Sequence, residues 1–172
     1  MNIILLGYMA SGKSFIGKKL AKTLKYDCID LDDFIESQEK CSIKELFEQK
    51  GEIYFRKVEQ IHLKTLLKDK ESTIISLGGG TPCYYDTMNM LKEDKNVKTI
   101  YLRVAIPELV RRLKTEKAKR PLISHLETDE LLTEFIGKHL FERSNFYNQA
   151  ELVIDANADG NEIIEDILLK LF

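Results

Sequence analysis

Residues 7–14 read GYMASGKS, and this spacing of two glycines, a lysine and a serine is typical of a phosphate-binding loop. The loop follows the apolar run 3–6 and precedes a helical pattern, which is the context that such a loop requires. Its backbone N–H groups would surround nucleotide phosphates, Lys13 would reach the β and γ oxygens, and Ser14 would hold Mg²⁺. A glycine-containing turn with an incidental Lys-Ser pair is the alternative, but the context favours nucleotide binding.

Two carboxylates follow the second apolar run. Asp30 and Asp32 lie at the predicted carboxyl end of strand 28–31, the edge where open α/β sheets bind ligands. Taken alone, the pattern is explained equally well by helix capping through Asp32 or Asp33. A phosphate loop in the same chain favours a functional role. Asp30 is the candidate for Mg²⁺, because Ser76 takes the position where many phosphate-loop proteins carry a strand-borne aspartate.

Three consecutive glycines follow the apolar run 73–77, at Gly78, Gly79 and Gly80. Consecutive glycines suit close approach by a ligand, although a tight turn is the simpler explanation. Arg56 and Arg143 lie in helical patterns. Without further context Arg56 is a solvated surface residue, and Arg143 pairs with Glu142 or with the helix end.

A basic segment precedes Pro121. Residues 111–120 read RRLKTEKAKR, with six basic residues against one acidic residue. Most such runs are solvated helix faces. Beside a nucleotide site, a basic segment also suits a lid that closes over the phosphates.

The composition fits one domain, because 172 residues with 44% hydrophobic content are enough for a single core. A net charge of −2 predicts no general attraction to nucleic acid or to an anionic membrane. Cys28, Cys41 and Cys83 lack metal-ligand spacing and predict free thiols in a reducing compartment. With no signal peptide and no membrane-length apolar run, we expect a cytoplasmic protein.

Five short apolar runs alternate with helical patterns. The predicted strands cover 2–6, 28–31, 73–77, 97–104 and 152–155. The predicted helices cover about 13–25, 42–49, 52–69, 85–93 and 127–147, with one more from Pro107 and one at the end of the chain. Ser42 and Glu45 predict a capping box, and Gly51 predicts a helix end. The alternation predicts a doubly wound, parallel α/β sheet.

With these residues placed, the chain resembles shikimate kinases along nearly its whole length. The matching motifs, in order, are GYMASGKS, DLDDFIE, YFRKVE, SLGGG, KRPL and FERSNFY. The resemblance implies a three-layer α/β/α P-loop kinase fold with a five-stranded parallel sheet in the order 2-3-1-4-5. It implies a single domain, 1–172, with a shikimate-binding region at about 32–60 and a lid at about 112–124.

The resemblance also implies an activity and a set of catalytic roles. The enzyme, which we expect by default to be a monomer, would transfer the γ-phosphoryl group of ATP to the 3-hydroxyl of shikimate, a step toward chorismate and the aromatic amino acids. One Mg²⁺ per subunit would be held by Ser14 and, through water, by Asp30. Lys13 would hold the β and γ phosphates, Asp32 would orient or deprotonate the hydroxyl, and Arg120 would reach the transferring phosphate.

The remaining roles implied by the resemblance are binding contacts. The shikimate contacts are Asp32, Arg56, Gly78, Gly79, Gly80 and Arg143, with the two arginines on the carboxylate. The ATP contacts are Ala10, Ser11, Gly12, Lys13, Ser14, Phe15, Arg112 and Arg120. Arg112 and the turn after Asp155 would border the adenine.

The chain departs from the family pattern at two places, and three other functions are also compatible with a phosphate loop. Ala10 replaces a glycine of many relatives, which we expect to be sterically minor, and the lid is about one residue longer than in some relatives. The rivals are a gluconate-kinase-like enzyme, a nucleoside-monophosphate-kinase-like enzyme and a nucleotide-dependent switch. The arginine pair and the glycines favour a small carboxylate acceptor. The chain has no Asn-Lys-x-Asp motif for guanine.

Overall fold

Five parallel strands form one sheet in the order β2-β3-β1-β4-β5. This computed structural model describes all residues, 1–172. The strands are β1 (Asn2–Leu6), β2 (Asp27–Asp30), β3 (Thr73–Ser76), β4 (Val97–Arg103) and β5 (Leu152–Asp155). The predicted fold class and strand order are confirmed.

Seven helices surround the sheet. They are α1 (Lys13–Leu24), α2 (Leu31–Glu39), α3 (Ile43–Asp69), α4 (Thr87–Glu93), α5 (Ile106–Lys114), α6 (Asp129–Tyr147) and α7 (Gly160–Leu171). Short 3₁₀ turns lie at Thr81–Cys83 and Lys117–Lys119. Every residue of β1 is buried, because helices cover both faces of the sheet. None of the helices combines the length and apolar character that crossing a bilayer demands.

The sequence did not predict α2, and β2 ends one residue earlier than expected. Asp30 caps α2, since its Oδ1 accepts a hydrogen bond of 3.0 Å from the backbone N–H of Asp32. Capping by Asp32 or Asp33 was therefore the wrong alternative. The helix buries only Leu31 and Ile35, a stripe too short to be recognised as periodic.

A break in α3 brings two parts of the chain to the same side of the site. Gly51 has φ 81° and ψ 172°, so the helical segments on either side of it are separate, as the sequence predicts. The predicted capping box of Ser42 and Glu45 begins the first segment. Across the break the rings of Phe47 and Phe55 lie 4.6 Å apart, which places Arg56 beside the first segment.

The strand order explains where the candidate residues meet. β1 lies between β3 and β4, so successive connections run to opposite sides of β1. At such a switch point the loops after neighbouring strands separate and leave a crevice at their carboxyl ends. The phosphate loop follows β1, the aspartates follow β2, and the three glycines follow β3. All three motifs therefore reach one edge of the sheet.

We predict that the same glycine-to-alanine change has opposite effects at the break in α3 and inside α6. Gly51→Ala should destabilise the protein by about 1 kcal/mol, because its positive φ is strained for alanine although no atom lies within 4 Å of the new Cβ. Gly137→Ala, inside α6, should stabilise it by about 0.5–1 kcal/mol, since the new Cβ meets only Ile106 Cδ1 at 3.8 Å. Chemical denaturation measures both changes, and equal signs would contradict the prediction.

Candidate active site

Lys13 folds back across the phosphate loop. Its Nζ donates to the carbonyl oxygens of Gly7, at 2.9 Å, and Tyr8, at 3.0 Å. The Lys13 pKa is lowered to about 8, mainly by burial and also by Arg120 and Arg143, while Asp30 and Asp32 oppose the shift. A bound phosphate would favour the ammonium form and reverse this shift. The loop therefore presents a cation that a polyanion stabilises.

Ala10 and Ser11 differ from what the loop pattern suggested. Ala10 has φ 61°, in the left-handed region that favours glycine, so replacing the glycine costs about 1–2 kcal/mol of backbone energy. The expectation that this replacement is sterically minor is wrong for the backbone. Ser11 is 2% exposed, and its N–H donates to the Tyr8 carbonyl at 3.2 Å. Its side chain lies beneath the loop.

The pair Ser14 and Asp30 has the chemistry of a magnesium site. Ser14 Oγ donates to Asp30 Oδ2 at 3.0 Å, and the other carboxylate oxygen caps α2. Hydroxyl and carboxylate oxygens suit Mg²⁺, which usually keeps waters and substrate phosphates as its other ligands. Ser76, the register partner of Asp30 on β3, is 1% exposed and is buried against Gly17 of α1. Ser14 and Asp30 therefore fit the ion, and Ser76 does not.

Asp32 occupies a buried, acidic environment. The Asp32 pKa is raised to about 6, mainly by burial and also by the charges of Asp30 and Glu59, while Lys13 opposes the shift. A Cβ on Gly78 would lie 3.1 Å from Asp32 Oδ1, so glycine permits this approach. A carboxylate that titrates near neutral pH can accept a proton from a hydroxyl.

The next two glycines pack against the two candidate arginines. A Cβ on Gly79 would lie 3.2 Å from Arg143 Nη1, and one on Gly80 would lie 2.5 Å from Arg56 Nη2. Neither glycine has a positive φ. Close approach of charged side chains, and not an unusual backbone conformation, is the reason for glycine here.

Arg56 is held by a buried glutamate. Its side chain is 12% exposed, which excludes the surface alternative, and its Nη1 donates to Glu59 Oε2 at 2.9 Å. Glu59 Oε1 accepts from Thr81 Oγ1 at 2.6 Å, and the Tyr84 ring lies 4.1 Å from the Arg56 guanidinium carbon. The Nε–H of Arg56 is buried without a hydrogen-bond acceptor, although Glu52 Oε1 lies 3.7 Å from this nitrogen as an ion-pair partner. An anionic ligand can accept this remaining hydrogen bond.

Sequence reasoning missed Glu59. The only sequence signal was a glutamate in the apolar stripe of α3, four residues after Phe55 and four before Leu63. A charged residue at a core position needs a partner, and Arg56, one turn earlier, provides it.

Arg143 forms no ion pair. No carboxylate lies within ion-pair distance of its guanidinium, so the alternative of a local pair with Glu142 is wrong. The hydroxyl of Tyr147 donates to the Gly79 carbonyl at 2.5 Å and ties α6 to the glycine turn. Arg143 is therefore a cation without a protein counter-charge, on a helix that is tied to the glycine turn.

Two adjoining cavities share one wall. The larger, of about 570 Å³, is lined by Lys13, Ser14, Asp30 and Arg112. The smaller, of about 350 Å³, is lined by Arg56, Glu59 and Arg143. Five residues line both cavities: Met9, Asp32, Gly78, Gly79 and Arg120. Bound molecules would meet at Asp32 and Arg120.

Arg112, which lines the larger cavity, connects α5 with the phosphate loop and the turn after β5. Its Nε donates to Glu108 at 2.7 Å, its Nη1 to the Ala10 carbonyl at 3.1 Å, and its Nη2 to the Ala156 carbonyl at 2.9 Å. These bonds place the guanidinium between the phosphate loop and the turn after β5. Phe15 lines the same cavity, 57% exposed, with Lys19 Nζ 4.9 Å from its ring centre.

Arg120 is paired within its own segment. Its Nε donates to Glu116 Oε2 at 2.9 Å, and its Nη2 contacts the same oxygen. Both residues line the larger cavity. The basic segment is therefore not a uniformly solvated helix face, because one of its arginines turns toward the site.

The comparisons with known proteins agree with this geometry. A family model described as shikimate kinase matches residues 9–172. The shikimate kinase of Flavobacterium johnsoniae is 46% identical over 168 residues, which cover 96% of each chain.

Solved structures support the same assignment. A crystal structure of shikimate kinase from Bacteroides thetaiotaomicron has a TM-score of 0.86 and 36% identity, over 99% of this chain and 96% of that one. Shikimate kinase from Acinetobacter baumannii, in complex with shikimate, has a TM-score of 0.82 and 26% identity, over 99% of this chain and 92% of that one. The match selects one interpretation over the gluconate-kinase-like, nucleoside-monophosphate-kinase-like and switch alternatives. This chain belongs to the shikimate kinase family.

Proposed function

We propose that this protein transfers the γ-phosphoryl group of ATP to the 3-hydroxyl of shikimate, giving shikimate 3-phosphate and ADP, on the route to chorismate and the aromatic amino acids. The shared wall of the two cavities carries the proposal. One cavity has the phosphate loop and the other has the arginine pair, with Asp32 and Arg120 between them. Both substrates of a phosphoryl transfer then meet at one point.

The two arginines favour a carboxylate acceptor for different reasons. Arg143 has no counter-charge of its own, so an anion beside it offsets the cost of holding a cation in a partly buried site. Arg56 is already paired with Glu59 but keeps its buried Nε–H for a ligand. Guanidinium groups bind carboxylates through paired, charge-assisted hydrogen bonds. We propose that they hold the shikimate carboxylate, with backbone contacts from Gly78, Gly79 and Gly80.

Transfer then depends on position and charge. Lys13 binds the β and γ phosphates, and Arg120 exchanges Glu116 for the transferring phosphate when residues 112–124 close as a lid. Asp32 orients the 3-hydroxyl and accepts its proton. Closure excludes water and so limits hydrolysis of ATP.

We assign the nucleotide and metal contacts as follows. Ser14 holds one Mg²⁺ directly and Asp30 through water, and a bound Mg²⁺ would supply positive charge at the phosphate oxygens. Arg112 and the turn after Asp155 border the adenine, because the Arg112 side chain is fixed against Ala156. The remaining ATP contacts are Ala10, Ser11, Gly12, Lys13 and Phe15.

We also propose a single-domain, cytoplasmic monomer. Its three cysteines are free, as in proteins of reducing compartments. The near-balanced charge gives no general basis for binding nucleic acid or membranes.

The direct test of the function is acceptor-dependent ADP release. With Mg²⁺ and ATP, shikimate should support turnover at about 1–100 s⁻¹, as is usual for kinases. Gluconate, nucleoside monophosphates and buffer alone serve as controls. Stimulation by another acceptor, or by none, would overturn the proposal.

Removing the Arg143 side chain should weaken the binding of shikimate but not that of ATP. Arg143→Ala should raise the shikimate KM about 10- to 150-fold, corresponding to a charge-assisted hydrogen bond of about 1.5–3 kcal/mol, while the ATP KM changes little. Arg111→Ala is the matched control, because Arg111 is an exposed arginine paired with Glu108. Steady-state kinetics with each substrate varied in turn measures the split. Equal rises in both KM values would place Arg143 outside the acceptor site.

Removing the Asp32 charge should reduce activity and increase stability. Asp32→Asn should lower kcat about 100-fold or more, as expected for loss of a general base. The folded pKa of Asp32 is raised from 3.8 to about 6, so the ionised side chain destabilises the fold above about pH 6. The variant should therefore be more stable by about 1–3 kcal/mol at about pH 8.

This stability gain should disappear as pH falls from about 6 to about 4, where Asp32 becomes protonated in both the folded and unfolded states. Urea denaturation across this pH range measures it. A constant gain, or an unchanged kcat, would contradict the assigned role of Asp32.

A further inference from the structure

One face of α6 carries three residues at successive turns: His139, Arg143 and Tyr147. The spacing of four places them on the same side of the helix. Both outer members are tied to loops of the active site. His139 Nδ1 and Tyr8 Oη form a hydrogen bond of 2.9 Å, and Tyr147 Oη donates to the Gly79 carbonyl at 2.5 Å. Arg143 lies between these two bonds.

Tyr8 belongs to the nucleotide loop but its side chain faces away from the nucleotide cavity. It is 1% exposed, and its carbonyl accepts hydrogen bonds from Lys13 Nζ and the Ser11 N–H. Burial raises the Tyr8 pKa to about 12, so the hydroxyl keeps its proton and can donate to Nδ1 when the proton of neutral His139 is on Nε2. The Tyr8 and Phe135 rings lie 5.5 and 5.3 Å from the imidazole.

We propose that Tyr8 and His139 are positioning residues for Arg143. The side chain of Tyr8, in the nucleotide loop, then influences how tightly shikimate binds. Arg143 has no ion pair to orient it, and its placement therefore depends on where α6 sits. The Tyr8–His139 bond fixes that helix one turn before Arg143, at a contact 131 residues apart in sequence. Neither Tyr8 nor His139 lines the smaller cavity, where we place shikimate. This inference rests on the proposed function.

The test removes a single oxygen atom. Tyr8→Phe should raise the shikimate KM about three- to tenfold, the effect of one hydrogen bond, with the ATP KM and kcat within about twofold of the unaltered protein. Tyr26→Phe is the control, because Tyr26 packs, partly buried, against the core just before β2, and no hydrogen bond involves its hydroxyl. It should leave both KM values unchanged.

Variants at the partner residue identify the bond itself. His139→Leu should raise the shikimate KM as Tyr8→Phe does, and the double variant should add little, because both changes remove the same bond. His139→Asn should restore most of the affinity, since its side-chain amide can bond at the Nδ1 position.

Two results would overturn the inference: an unchanged shikimate KM in Tyr8→Phe, even with lower thermal stability, or equal rises in the shikimate and ATP KM values. The unaltered protein, assayed in parallel, separates the two claims. If it shows no shikimate-dependent turnover, the proposed function fails and this inference fails with it. If it turns over and only the Tyr8→Phe effect is missing, the inference alone is wrong.

Discussion

Close packing of charged side chains against three consecutive glycines sets the geometry of the site. Asp32, Arg143 and Arg56 each approach a different glycine so closely that an added Cβ would lie 3.1, 3.2 and 2.5 Å from them and would force the side chain to move, most of all for Arg56. Because the glycines follow β3, which pairs with the central strand β1, these side chains are held at the carboxyl end of the sheet beside the phosphate loop. Asp32 lies on α2, Arg143 on α6 and Arg56 on α3, so three separate helices converge at the glycine turn.

Burial of these charges explains both the pKa shifts and the division of labour. The same desolvation lowers the Lys13 pKa and raises that of Asp32. Bound phosphates would stabilise Lys13 as a cation, whereas Asp32 can exchange a proton near neutral pH. Glu59 neutralises Arg56 within the protein, whereas Arg143 depends on a ligand. The two arginines are thus unequal, although the sequence presents them as a pair.

The regular elements were predictable because their apolar stripes are long. The helix α2 was not, since it buries only Leu31 and Ile35. The expected ion pair between Arg143 and Glu142 does not form, because adjacent residues on a helix face different directions. The link between Tyr8 and His139 joins distant segments and leaves no local pattern. The sequence motifs therefore located the candidate residues. The side chains that hold them in place could be identified only from the three-dimensional fold.

The most direct measurement is a crystal structure with shikimate and a non-hydrolysable ATP analogue. We predict that the shikimate carboxylate binds Arg56 and Arg143. The 3-hydroxyl should lie about 2.6–3.2 Å from Asp32 and face the γ-phosphate. A carboxylate bound elsewhere, or a different hydroxyl facing the phosphate, would contradict the claim that transfer occurs at the wall shared by the two cavities.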